Sequence, residues 1–329
     1  MRALILTIAL LPLAPASAQQ PDPPQTATLT VTTRLVSIDA VVHDAHGDLV
    51  TNLTRDSFTL REDGHPVPIR YFNHDSDLPL TVGLLIDTSG SETEYFGDEA
   101  LASSLFLENV LRPSPAAANQ PGPPFAHAVD TDRAFILRFD TQIQMLQPMT
   151  SSLALLRNGL RRLDYNPDPE IARGGGGTLL YDAIVDVCEN TIAHETGRRA
   201  LIVMTDGDDV GSHHDLSAAI RAAQAAGVAV YSILYTREMQ GYPEVPGLRP
   251  SGIHNMQQIS LATGGRQFLV GRQMPVREIY AAIEADLRSQ YRIGFTPTPS
   301  KPHKFHTIEL RATDRTLSVQ SRTSYSTPE

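Results

Sequence analysis

The chain has 329 residues and 41% hydrophobic content, enough for one large domain or two ordinary ones with a sizeable core. Its formal charge of −10 excludes nonspecific nucleic-acid binding, which needs clustered Lys and Arg, and gives no attraction to an anionic membrane surface. A single cysteine, Cys188, forbids any intrachain disulfide.

Residues 1–18 have the form of a secretory signal. Arg2 is the positive start, Ala3 to Leu11 are almost wholly apolar, and Ala16-Ser17-Ala18 is an A-x-A cleavage site. The apolar run is too short to span a bilayer, and no later stretch approaches about twenty apolar residues. A lipid anchor would need a cysteine just after the cleavage point, and the only cysteine is Cys188. The expectation is a periplasmic or secreted protein without a transmembrane segment after signal cleavage. Residues 19–27 form a Pro-rich polar lead-in, expected to be disordered.

From Thr28 the pattern changes to polar–apolar alternation through Val42, which predicts one long or two short strands. His46-Gly47-Asp48 is a turn, and Phe58, Leu60 and Glu62 alternate into a second turn at Glu62-Asp63-Gly64. Residues 28–75 therefore read as a small β segment, too short for a good core of its own.

Val82-Gly83-Leu84-Leu85-Ile86 is an apolar run suited to a fully buried strand, and it ends abruptly in Asp87-Thr88-Ser89-Gly90-Ser91. A helical stretch follows from about Asp98 to Leu111, then a Pro/Ala-rich insertion from Pro113 to Pro124 that reads as a solvated surface loop. Arg133–Phe139 is the next strand, with Ile143–Leu146 pairing back on it, and Leu153 to Leu163 marks a helix capped by Ser151 or Ser152. A long loop from Asn166 ends in four glycines, Gly174 to Gly177, and then Thr178 opens a helical pattern from Leu180 to Ile192 that includes Cys188.

Leu201–Met204 is a second buried apolar run and ends in Thr205-Asp206-Gly207. Leu216–Ala226 reads as an Ala-rich helix, Val228–Tyr235 as a strand, and 237–252 as a loop. Met256–Ala262 is a short helix with a glycine stop, Phe268–Val270 a last short strand, and Ile279 to Leu287 a closing amphipathic helix. Residues 290–325 alternate again as β. The expected fold is α/β: a doubly wound, mostly parallel sheet with helices on both faces over residues 79–288. A small β-sandwich, built jointly from 28–75 and 290–325, flanks it.

A buried strand that delivers oxygen side chains at its carboxyl end, just before a helix, marks the ligand site of open α/β sheets. Asp87, Ser89 and Ser91 alternate along their loop, so their oxygens can converge on one point. They are hard donors, which selects magnesium, manganese or calcium over zinc or copper. This loop resembles the Asp-x-Ser-x-Ser signature of the metal-ion-dependent adhesion site of von Willebrand factor type A domains. Two further parts of that signature stand in order: Thr178 before a helix, and Asp206 at the end of a strand. The fragment Gly47 to Phe58 with Glu62-Asp63-Gly64 is similar to the flank that precedes the domain in VWFA-related acidobacterial proteins.

The resemblance implies that Ser89 and Ser91 are direct metal ligands and that Thr178 binds directly or through water. It implies that Asp87 and Asp206 act largely through waters, and that one coordination position stays open for a partner's carboxylate. It thus implies a non-enzymatic adhesion module using Mg2+, or Mn2+ or Ca2+, to recognise a protein or surface ligand that presents an acidic group. Two alternatives are a structural scaffold whose ion only stabilises the fold, and a metal-dependent hydrolase.

Other chemistries fit less well. The loop from Asp206 to Gly211 fails as a calcium loop, because Val210 and Ser217 occupy ligand positions. His213-His214 and His303/His306 lack a zinc-like set of four and are expected to be solvent-exposed. Neither a Gly-x-Ser-x-Gly elbow nor a P-loop is present. A phosphotransferase using Asp87 would want a nearby lysine, and the only lysines are Lys301 and Lys304.

Overall fold

A computed structural model describes residues 35–74, 78–89, 96–111, 132–164, 177–235, 251–272, 274–299 and 304–327. The signal-like segment, the lead-in, residues 28–34, Ser91, the Pro113–Pro124 insertion and most of the loops before Gly177 and Ser251 lie outside the described residues. In chain order come β1 (Val36–His43), β2 (Phe58–Glu62), β3 (His65–Pro66), β4 (Tyr71–Asn73), β5 (Leu80–Asp87) and α1 (Phe96–Val110). The hairpin of β6 (Arg133–Phe139) and β7 (Ile143–Thr150) follows, then α2 (Leu153–Leu160), α3 (Leu180–Asp186), β8 (Arg198–Thr205) and α4 (Leu216–Ala226). The chain continues through β9 (Ala229–Leu234), α5 (Ser251–Thr263), β10 (Gln267–Leu269) and α6 (Val276–Arg288). It closes with β11 (Tyr291–Phe295), β12 (Phe305–Ala312), β13 (Ser318–Ser321) and β14 (Ser324–Ser326).

Six strands form the central sheet in the order β10-β9-β8-β5-β6-β7, with every neighbour parallel except the β6–β7 hairpin. All eight residues of β5 are buried, because helices cover both faces and period-two alternation sends neighbours to opposite sides. Leu80, Val82, Leu84 and Ile86 pack towards Phe106 and Val110 of α1 and Ile279 and Ile283 of α6. Leu85 lies in the opposite layer, with Phe135, Leu180, Ala223 and Met256. Gly83 is required there, since a Cβ at that position would sit 2.3 Å from the Phe135 ring.

The strand order reverses at β5 and β8. Successive crossovers leave in opposite directions from that point, and the carboxyl ends of these two strands are where open α/β sheets place a ligand crevice. Asp87 and Thr205 are the last residues of these two strands.

Strands from both flanks of this domain share two further sheets, β13-β1-β11-β4 and β14-β12-β2-β3. β1 pairs with β11 and β13, while β2 pairs with β12, all antiparallel. Their inner faces enclose Ile38, Val42, Phe58, Leu60, Tyr291, Phe295 and Tyr325, so two segments that are each too short for a core complete one together. Against the α/β domain, His43 lies 3.0 Å from Asp286 and the Thr323 amide donates to the Ala262 carbonyl at 3.0 Å.

Several elements differ from expectation. α5 begins at Ser251, five residues before the apolar pattern starts, because Gly252 packs its backbone directly on Gly207 rather than burying a side chain. The helix expected to reach Ile192 changes to a π-helical turn over Val187–Thr191, which keeps both Val187 and Cys188 buried. His306 is not a surface histidine. It is 2% exposed, its Nδ1 lies 2.8 Å from Asp63, and its ring stacks on Tyr325.

Candidate metal centre

Asp87 ends a strand that is buried along its whole length, and is itself only 2% exposed. Its Oδ1 accepts from the Ser89 amide at 2.9 Å, an Asx-type turn that curls the loop back over the strand end. Its Oδ2 accepts from the Thr205 hydroxyl at 2.6 Å, across the switch point. Thr205 Oγ1 in turn accepts from the Gly207 amide at 3.0 Å, which fixes the turn that presents Asp206. Gly207 has φ +90°, and a Cβ there would lie 2.8 Å from the Gly252 backbone, so the α5 amino terminus clamps this turn from outside.

Thr178 is buried and is held by a two-way backbone bridge to Val210, with N···O distances of 2.8 and 3.0 Å. That bridge ties the Thr178 loop to the segment after Asp206. A second tie runs through Asp140 at the β6 end. Asp140 Oδ2 accepts from Thr88 Oγ1 at 2.8 Å, and its carbonyl accepts from the Leu179 amide at 2.9 Å. The Asp87, Thr178 and Asp206 loops, more than a hundred residues apart at their extremes, therefore meet at the crevice in one hydrogen-bonded frame. Asp87, Ser89 and Thr178 belong to this frame, the charge of Asp206 acts on Asp87, and Ser91 lies outside the described residues.

Sequence reasoning passed over three members of this frame. Thr205 was visible only as part of the strand-Thr-Asp-Gly ending. Asp140 sits in a three-residue hairpin connection and gave no signal at all. Asp182, on α3, accepts from the backbone amides of His213 and His214, and both rings place Nδ1 within 3.1 Å of it. The His213–His214 pair is exposed as expected, yet its backbone anchors the loop that follows Val210. Asp209 adds to the frame by accepting from the Tyr181 amide at 3.1 Å and from Ser212 at 2.6 Å.

The electrostatics suit a hard cation. Burial is the main influence on the Asp87 carboxyl and lifts it to about 7. Hydrogen bonds from Thr205 and Ser89 pull the other way, and the nearby negative charge of Asp206 adds to the rise. A buried carboxyl beside a second carboxylate is ionised at little cost only when a positive charge joins the pair. The groups at hand are carboxylates and hydroxyls, with neither thiol nor imidazole among the four described candidates, so a magnesium-like ion fits better than a soft metal. Among the described residues, no group of three or more His, Cys, Asp or Glu side chains forms a conventional carboxylate or imidazole metal cage, at this crevice or elsewhere. No described helix is long and apolar enough to cross a membrane.

No protein-family model matches the chain, and no curated protein matches it in sequence. Solved structures similar to it include the conserved hypothetical protein BatB from Bacteroides thetaiotaomicron. That match has 17% identity and a TM-score of 0.43, over 63% of this chain and 97% of that one. Proximal thread matrix protein 1 from the mussel byssus, with a zinc-occupied MIDAS motif, matches at 13% identity and TM-score 0.46. That alignment covers 70% of this chain but only 50% of the byssus protein. A von Willebrand factor type A protein from Catenulispora acidiphila matches at 11% identity and TM-score 0.44, over 91% of this chain and 75% of its own. In fold, the chain is similar to von Willebrand factor type A domain proteins.

Proposed function

We propose that the protein is an exported, non-enzymatic binding module that recognises an acidic group on a protein or surface ligand through a divalent cation in the switch-point crevice. In this reading Ser89, Ser91 and Thr178 supply neutral hydroxyl ligands, and Asp87 and Asp206 balance the charge, largely through water. Magnesium is the physiological ion, with manganese or calcium as substitutes. Neutral ligands leave residual positive charge on the ion, and that charge attracts a carboxylate. The protein acts in the periplasm or outside the cell.

One observation supports this reading above the rest: Asp87, Thr178 and Asp206, from three separated loops, share a hydrogen-bonded frame at the carboxyl ends of the two central strands. A helix-capping role for the Asp87 loop would not call for the other two. The test is recovery of a crosslinked native partner with magnesium, with EDTA, and with Asp87→Ala. Recovery should require both the ion and Asp87. Equal recovery in all three conditions would defeat metal-bridged recognition.

A further inference from the structure

At the opposite end of the central sheet, a pocket of about 390 Å³ lies between the amino ends of β8 and β9 and the outer face of the β1–β11 pair. Three arginines line it: Arg199 from β8, Arg292 from β11 and Arg322 after β13. This is a concentration of positive charge in a protein of net charge −10. The two acidic residues of the lining are already engaged. Asp39 takes Arg292 in a two-pronged pair at 2.8 and 3.1 Å, and Glu195 pairs with Arg133. Arg199 and Arg322 have no carboxylate partner among the described residues.

These two guanidinium groups converge. A Cβ placed on Gly227 would stand 3.2 Å from Arg199 Nη2 and 3.4 Å from Arg322 Nη1, so both lie over the same glycine. Neutral carbonyls satisfy part of each fork: Arg199 donates to Ala193 at 3.1 Å, and Arg322 to Ser37 at 2.7 Å and Gln224 at 3.4 Å. Arg199 Nε is buried with no hydrogen-bond partner. Holding the seam together accounts for the carbonyl contacts. It does not account for an unused buried donor, or for two like charges brought side by side with the nearest carboxylate already taken.

We propose that this seam pocket binds an oxyanion of the phosphate or sulfate type, seated between Arg199 and Arg322. Guanidinium forks favour such anions because they present fixed parallel donors. A planar carboxylate suits a single fork, as Asp39 does for Arg292. Two forks reaching in from different elements suit a tetrahedral anion with acceptors in several directions. Burial weakens the hold of both guanidinium groups on their protons, to about 10 for Arg322; the Asp39 carboxylate opposes this, neighbouring arginines add to it, and a bound anion would act in the same sense as Asp39. Since Arg199 belongs to the α/β domain and Arg322 to the sandwich, the anion would also lock the two together.

The test uses the full chain in EDTA throughout, so that cation binding plays no part. Inorganic phosphate, sulfate and glucose 6-phosphate are titrated by calorimetry and by melting temperature, with chloride at matched ionic strength as reference. Saturable binding and a higher melting temperature are expected with phosphate or sulfate but not chloride. Tighter binding of glucose 6-phosphate identifies a phosphorylated solute as the source, and equal binding identifies the free ion. Arg199→Gln and Arg322→Gln should each weaken affinity by about tenfold or more. Arg199→Lys, which keeps the charge but loses the fork, should weaken it less and still fold. Two results overturn the proposal: no saturable response of the wild type to any of the three anions, or wild-type affinity in Arg199→Lys and whichever glutamine variants fold.

Discussion

Replacing Thr205 by Val tests whether the crevice is built as described. The two side chains have nearly the same shape, and Thr205 is fully buried, so the exchange opens no cavity. What it removes is one hydroxyl that donates to Asp87 Oδ2 at 2.6 Å and accepts from the Gly207 amide at 3.0 Å. A lost hydrogen bond to a buried carboxylate costs about 1.5–3 kcal/mol and an orphaned amide about 1 kcal/mol, giving about 2.5–4 kcal/mol in all. At about 2–4 °C per kcal/mol for a domain of this size, the melting temperature should fall by about 5–16 °C. The same change loosens the turn that presents Asp206, so the concentration of magnesium needed for half of the ion-induced stabilisation should rise about tenfold. Differential scanning fluorimetry across a magnesium series reads both effects, and Thr205→Ser, which keeps the hydroxyl, should behave nearly as wild type. A Thr205→Val protein that melts within about 1 °C of wild type and responds equally to magnesium refutes the reasoning.

Gly252→Ala brings a methyl group to within 2.3 Å of the Gly207 backbone. It should cost about 1–3 kcal/mol by overpacking and reduce the magnesium response without touching any candidate ligand; an unchanged response in calorimetry counts against the clamp. For Asp182, desolvation pushes the carboxyl up, but four donors from His213 and His214 more than reverse it and hold it well below the usual carboxylate range. A group depressed in the folded state stabilises fully above its unfolded value of about 4, and that contribution disappears as pH falls towards the folded value. The melting-temperature gap between wild type and Asp182→Asn should therefore be constant near neutrality and shrink below about pH 4, and a gap that persists unchanged at lower pH contradicts the assignment. Burial raises the Cys188 thiol to about 12, so iodoacetamide should label it only after unfolding, as mass spectrometry of native and denatured samples can check.

Much of the fold was legible because its strongest signals are local. The apolar runs at Val82–Ile86 and Leu201–Met204 are buried on both sides and read as unbroken strands, and Ser152 marks a helix start by its own chemistry. The frame around the crevice was legible only where residue type and position coincide, at Asp87, Thr178 and Asp206. Asp140 was invisible because its importance lies in partners at Thr88 and Leu179, one contacted by side chain and the other by backbone. The start of α5 was missed for a related reason. Its first turn contributes a bare glycine backbone to the packing, and a hydrophobic pattern cannot register a contact made by an absent side chain. His306 was misjudged because one buried histidine between Asp63 and Tyr325 leaves no periodic trace.

The shared sandwich also dictates an order of assembly. β1 and β2 do not pair with each other, and apart from the short β2–β3 hairpin their strand neighbours, β11, β12 and β13, come more than two hundred residues later. On a growing chain the early strands must wait with open edges and a bare apolar face while the whole α/β domain is synthesised between them. Closing so long a loop is slow, and it becomes cheap only once that domain has folded and brought Val36 and Phe295 close together. The α/β domain is thus the jig on which the outer layer is assembled, and a lesion in its core should appear first as aggregation through the unclosed sheet.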